Sequence, residues 1–194
     1  MSSFSTTGLL VFCALLGSAF PLKCISCLSK TSTECEGESE IECPGNCMTG
    51  SQHFHNGDVD VKSLYKGCAN ESLCGLFGSL TQENDVTIRV NAVCCSGDKC
   101  NDDEFFLPKE DTEPNGLSCP NAYCKGTNEE CESDQEIECK GSETQCVEYR
   151  GRVKNPDDSE DDYSAKGCIN PDGCKFNFGI LIAVEELERI LLDC

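Results

Sequence analysis

The cysteines of this chain follow one pattern of spacings that occurs twice. From Cys24 the order is C-x2-C-x7-C-x7-C-x3-C-x20-C-x5-C-x19-C-C-x4-C, ending at Cys100. From Cys119 it is C-x4-C-x6-C-x7-C-x6-C-x21-C-x5-C-x19-C, ending at Cys194. Neighbouring residues repeat with them: SEIEC (Ser39 to Cys43) against QEIEC (Gln135 to Cys139), and KGC at Cys68 against KGC at Cys168. Such agreement marks an internal duplication, and each copy becomes the unit to be folded. The units are read as residues 20–106 and 119–194. Between them, LPKEDTEPNGLS (residues 107–118) has two prolines, a Pro-Asn-Gly turn signal and a cluster of charges, which predicts a semi-extended linker.

Whether the cysteines are disulfides or metal ligands depends on the compartment. Residues 8–20, GLLVFCALLGSAF, carry no charge and match the apolar core of a secretory signal, with small residues Gly17 and Ala19 before a cleavage site. The run is too short for a membrane span, which takes about 20 apolar residues. A signal peptide over residues 1–19 is therefore expected, and the protein is expected to be secreted. Removing it takes Cys13 and leaves 18 of the 19 cysteines, an even number, as an oxidised framework requires. With no Trp, 9 Phe, 17 Gly and 7 Pro, the chain has little material for an apolar core, so cross-links must supply much of its stability.

The formal charge of -20 disfavours nucleic acid and anionic membrane, both of which need Lys/Arg surfaces. It serves solubility or the encounter with a basic partner, and composition does not separate the two. Short strands are expected within each unit. Residues 85–93 and 145–153 alternate apolar and polar positions with the period of a half-buried strand. GILIAVEELERILL (residues 179–192) also fits helical spacing, with Ile180, Val184, Leu187 and Leu191 on one face. The equal x19 spacing in the first unit argues instead for strand–turn–strand, with the turn near Glu185–Glu186.

VCCSGDKCN (Val93 to Asn101), behind a ten-cysteine spacing that opens C-x2-C, resembles the three-finger domain of the Ly-6/urokinase-receptor type. The resemblance implies an all-β, small disulfide-rich fold of two tandem snake-toxin-like domains, with Asn101 closing the first. It implies the pairs Cys24–Cys47, Cys27–Cys35, Cys43–Cys68, Cys74–Cys94 and Cys95–Cys100, then Cys119–Cys146, Cys124–Cys131, Cys139–Cys168 and Cys174–Cys194. Spacing alone does not, because eight cysteines already allow 105 pairings. The second unit lacks the closing CCxxxxCN, which predicts a less rigid end. Two such domains joined by LP…PNG are similar to the gamma-type phospholipase A2 inhibitors. That similarity implies a non-enzymatic inhibitor that covers a secreted, often basic, phospholipase A2. Sodefrin-precursor-like pheromones share the architecture and supply the competing reading, a secreted signalling factor. An anchored surface receptor of the Ly-6 kind is a third reading, but it needs a removable hydrophobic tail, and Glu185, Glu186, Glu188, Arg189 and Asp193 interrupt the one candidate, so no membrane anchor is expected. No cofactor is expected, and self-association of copies stays open.

No catalytic constellation is present. His53 and His55 stand at i and i+2, on one face of a strand, but no third metal ligand is identifiable. NPDDSEDDYS (residues 155–164) concentrates Asp157, Asp158, Asp161 and Asp162 without the Gly and Glu of an EF-hand loop. A solvated finger tip, an acidic pad for a cationic protein and a weak calcium loop remain its three readings. Asn70-Glu71-Ser72 is an N-glycosylation sequon. Phe105 and Phe106 are expected to seal the domain boundary or, second, to meet a partner, and a concave seam between the domains is the first place to look for a ligand surface.

Overall fold

The computed structural model describes residues 21–57, 59–82, 86–132, 134–155, 158–175, 182 and 184–194. The expected signal peptide, Asp85, Asp157 and the first arm of the last hairpin lie outside the described residues. The strands in chain order are β1 (Leu22–Ser29), β2 (Ser39–Cys43), β3 (Cys47–Asn56), β4 (Val59–Cys68), β5 (Phe77–Gln82), β6 (Val86–Cys95), β7 (Pro114–Pro120), β8 (Ala122–Lys125), β9 (Glu136–Lys140), β10 (Gln145–Lys154), β11 (Glu160–Ile169) and β12 (Glu185–Asp193). Among the described residues no helix is long and apolar enough to cross a membrane.

The first unit makes three antiparallel fingers, β1–β2, β3–β4 and β5–β6, with β3 also paired to β6 and β1 to β4. The second repeats the plan: β7 pairs β9, β10 pairs β11, and β12 lies on the outer edge of β10 as β6 lies on β3. At the base of each set sits a disulfide knot. Cys24, Cys43 and Cys47 are fully buried in one, and Cys119, Cys139 and Cys168 in the other.

The nine disulfides join Cys24–Cys47, Cys27–Cys35, Cys43–Cys68, Cys74–Cys94 and Cys95–Cys100 in the first unit. In the second they join Cys119–Cys146, Cys124–Cys131, Cys139–Cys168 and Cys174–Cys194. Asn101, 1% exposed, accepts from Ile25 N and donates to the carbonyls of Ile25 and Met48, which stitches β1 to β3. A buried side-chain amide that replaces ladder bonds in this way holds two strands where they no longer pair directly.

Three expectations are corrected. First, Glu185 and Glu186 are not a turn; they begin β12, opposite Lys154 and Val153 of β10. The helical spacing there loses because β10 offers an unpaired edge and the Cys174–Cys194 bond returns the chain to it, and propensity yields to tertiary context. Second, the linker is shorter than expected, since Pro114 already opens β7, opposite Lys140. Its Pro-Asn-Gly signal makes an irregularity inside the strand, with Gly116 at φ +85, a left-handed conformation that favours glycine. Third, β6 is buried on both faces at Arg89, Val90, Asn91 and Ala92, where alternation predicted a solvated side. The connecting segment covers that side: Arg89 donates to the Pro108 carbonyl and Asn91 to the Phe106 carbonyl.

The two units share one ten-stranded sheet, in the order β12-β10-β11-β5-β6-β3-β4-β1-β2, with β8 on β11. β5 and β11 carry the junction, with Cys168 opposite Thr81 and Ile169 opposite Leu80. Leu80, Val147 and Ile169 form a buried cluster drawn from both units, with Ile88, Cys174 and Leu192 packed against it. Duplicated units therefore meet through unlike strands.

Candidate binding surface at the domain seam

Only two residue pairs link β5 to β11, so side chains must complete the junction. Asn170, 5% exposed, continues the ladder beyond β11: its backbone N–H donates to Ser79 O at 3.0 Å, and its side chain imitates a further peptide group. Nδ2 donates to Phe77 O at 2.6 Å, and Oδ1 accepts from Ser79 N and from Gly173 N, each at 2.9 Å. Beside it, Glu143 Oε1 accepts from Ser79 Oγ at 2.6 Å and from Thr81 Oγ1 at 2.8 Å. Glu143 is 3% exposed and its Oε2 has no hydrogen-bond partner. Burial raises its carboxyl above the ordinary range, and the two hydroxyls pull it partly back. A third tie crosses further along. Gln52 of β3 accepts from Ile182 N at 2.6 Å and donates to Ile182 O at 3.3 Å. The seam is thus held by geometrically specific hydrogen bonds that join β3 and β5 of the first unit to Glu143, Asn170 and Ile182 of the second.

Phe106 does not seal this seam. It is 58% exposed, and its backbone is pinned to the first unit, N–H to Ser51 Oγ and carbonyl to Asn91. Phe105 beside it is half-buried.

The acidic cluster on the second unit's middle finger is largely neutralised by its neighbours. Asp158 pairs with Lys154 at 3.0 Å, Asp161 with Lys125 at 2.9 Å, and Asp162 with Arg152 at 2.8 Å. The Arg152 hydrogen bond lowers the Asp162 carboxyl below its usual range. Sequence reasoning missed a more open set of carboxylates. The SEIEC and QEIEC repeats put Glu42, Glu136 and Glu138 exposed on β2 and β9, with Glu34, Glu36 and Glu132 exposed in the loops before them, while Glu40 of β2 pairs with Lys99. The signal was in the repeat itself, which was used only as proof of duplication.

His53 and His55 do gain a shared neighbour, Asp60 on β4, at 3.0 Å and 3.6 Å. The His53 hydrogen bond holds the Asp60 carboxyl below its usual range. The groups tight enough to surround an ion, among the described residues, are Cys119–Cys139–Cys168 and Cys27–Cys35–Glu38. Every sulfur in them is in a disulfide, so neither offers a thiolate. Asn70 is exposed and caps the 3-10 turn Glu71–Leu73, its Oδ1 accepting from Ser72 N at 3.2 Å and Ser72 Oγ at 2.8 Å.

The family model for the u-PAR/Ly-6 domain matches residues 21–103 and again 115–180. Among similar proteins, phospholipase A2 inhibitor NAI of Notechis ater is 28% identical over 153 residues, covering 74% of this chain and 74% of that one. The phospholipase A2 inhibitor 31 kDa subunit of Naja kaouthia is 31% identical over 140 residues, 70% of this chain and 72% of the other. Phospholipase A2 inhibitor CgMIP-I of Cerrophidion godmani is 31% identical over 148 residues, 71% and 68%. Neither unit alone makes up half of the chain, so these alignments run through both. With both disulfide knots matched by one family model, the chain belongs to the u-PAR/Ly-6 domain family as a two-domain member.

Proposed function

We propose that this protein is a secreted, non-enzymatic inhibitor that binds a basic secreted phospholipase A2 and covers its surface. The observation that carries the reading is the likeness to phospholipase A2 inhibitors through both units, at 28–31% identity. It favours inhibition over the pheromone reading, since those relatives are named for the enzyme they inhibit. The units take the bounds 20–106 and 114–194, the second opened by β7, behind a cleaved signal over residues 1–19. Nine disulfides suit an oxidising, extracellular setting.

Physical features fit the role. A seam fixed by Asn170, Glu143 and Gln52 presents two sets of fingers as one preorganised body, which lowers the entropy lost on binding. The exposed glutamates of β2 and β9, with the net charge of -20, steer a cationic enzyme. Phe106 supplies an exposed aromatic on the segment between the units. Asp157, Asp158, Asp161 and Asp162 are second to the first-finger glutamates, because three of them must release internal partners first.

The test is hydrolysis of a phospholipid by a basic secreted phospholipase A2 with and without the purified protein. At low ionic strength, inhibition and binding are expected, and both weaken toward 1 M salt, where the screening length falls to about 3 Å. Charge reversal at Glu42 and Glu138 should slow association more than it speeds release. Failure to bind or slow any secreted phospholipase A2 at low salt sinks the proposal.

A further inference from the structure

Between the two units lies an apolar chamber of about 260 Å³ to which nothing above assigns a role. Its floor is shared: Leu80 and Val86 come from the first unit, Val147 and Val153 from the second, and each is at least nine-tenths buried. Its rim is open, with Val59 47% and Tyr123 43% exposed. Water that enters so apolar a space finds few partners there, so its displacement by an apolar group is favourable.

Five of the polar side chains that reach the chamber are already committed. Gln52 is bound at both ends to Ile182, Gln82 Nε2 donates to Lys166 O, and Ser63 Oγ donates to Lys30 O. Asn155 Nδ2 donates to Ser159 and Asp161, and Tyr163 donates to Asn155. A peptide entering this space would bury amide groups with nothing to receive them, which is costly. An alkyl chain has no such groups. Asn155 and Val184 also line a shallower hollow next to the chamber, where Lys30, Lys154, Asp158 and Glu185 meet. Lys154 and Asp158 are already paired there at 3.0 Å, and a head group that carries both signs can exchange with that pair, its cation on the carboxylate and its anion on the ammonium. In a chain of charge -20, these groups do not favour a bare anion.

We propose that the chamber holds the alkyl chain of a single-chain zwitterionic amphiphile, whose head group rests in the adjoining lysine–carboxylate hollow. A cavity of about 150 Å³ accommodates benzene, so this one takes a chain of about ten carbons. The inference stands on the chamber and its adjoining hollow and does not require the phospholipase reading.

The experiment is titration calorimetry of the oxidised protein, without any enzyme, against hexyl, octyl, decyl and dodecyl phosphocholine below their micelle concentrations. Saturable one-to-one binding is expected, tightening about fourfold per methylene until the chamber is full and then levelling. Decanoate and decyltrimethylammonium should both bind more weakly than decyl phosphocholine. Ala165→Phe places a ring in the chamber, removes more than half of its space, and should weaken decyl phosphocholine at least about a hundredfold while shifting the plateau to shorter chains. Should that variant misfold, Val59→Lys at the exposed rim should weaken every chain length at unchanged melting temperature. Absence of saturable binding, affinity indifferent to chain length, or binding untouched by a folded variant overturns the proposal. So does occupation of the chamber by a protein partner alone, with the alkyl phosphocholines inert.

Discussion

Replacing Asn170 with alanine tests whether the two units are one rigid body. The side chain makes three hydrogen bonds to backbone groups, two of them across the seam, at Phe77 O and Ser79 N, and one within the second unit, at Gly173 N. Alanine leaves all three groups unpaired at a site only 5% exposed. A buried polar group left without a partner costs about 1–3 kcal/mol. The low end applies, since water can follow the vacated amide into the seam, and three groups at about 1 kcal/mol each give a loss of about 3 kcal/mol. The backbone bond from Asn170 N to Ser79 O survives the substitution, so the seam should loosen without parting. Differential scanning calorimetry with the disulfides intact measures the loss. Limited proteolysis in the exposed segment around Lys109 reports the seam itself, because a loosened seam frees that segment. A melting temperature within experimental error of the parent, with cleavage at the parent rate, would refute the reasoning and reduce the seam to a chance contact.

Three further outcomes follow from the same geometry. Burial raises the Glu143 carboxyl, so the folded protein binds its proton more readily than the unfolded chain; the stability this contributes is complete below the unfolded value of about 4.3 and is lost as pH rises through the higher folded value. Glu143→Gln keeps an acceptor for Ser79 and Thr81 and should flatten the fall in melting temperature across that window; an unchanged slope contradicts the assignment. Joint replacement of Cys174 and Cys194 by serine opens a loop of sequence separation 20 and should cost about 3 kcal/mol, with faster amide exchange in β12 than elsewhere. Glycan attached to Asn70 Nδ2 leaves Oδ1 on Ser72, so the secreted protein should lose mass with peptide:N-glycosidase, and Asn70→Gln should abolish that loss at a cost of about 1 kcal/mol from the cap.

The residues that made the fold legible are those with a period or a spacing. Val147, Tyr149 and Val153 alternate with Glu148, Arg150 and Arg152, and they are buried and less buried in that order along β10. Cysteine spacing exposed two units but could not choose among pairings, which entered only through the resemblance carried by VCCSGDKCN. The seam was invisible for a physical reason. Glu143 and Asn170 lie in short polar segments that read as turns, and their burial comes from a partner unit far away in the chain. Likewise Arg89 and Asn91 read as solvated positions, because alternation describes one strand against one face and knows nothing of a connecting segment laid over the other. Phe106 misled in the opposite direction, since an aromatic at a boundary suggests burial when only its backbone is used.

Duplication alone would suggest two equivalent halves, yet the junction uses β5 of the first unit and β11 of the second. A contact between unlike surfaces has no built-in closure and can in principle propagate from copy to copy. The ends of the sheet, among the described residues, oppose that. There β2 closes one side with Glu40 and Glu42, and β12 the other with exposed Glu185 and Glu188. Charges on edge strands oppose the addition of another strand, and like charges on both ends oppose the joining of two copies. The same carboxylates on β2 that blunt an edge face outward from the first finger, where a cationic enzyme would meet them. Acidity on these strands therefore opposes growth of the sheet, and under the inhibition proposed above the same residues would also meet a partner of opposite sign.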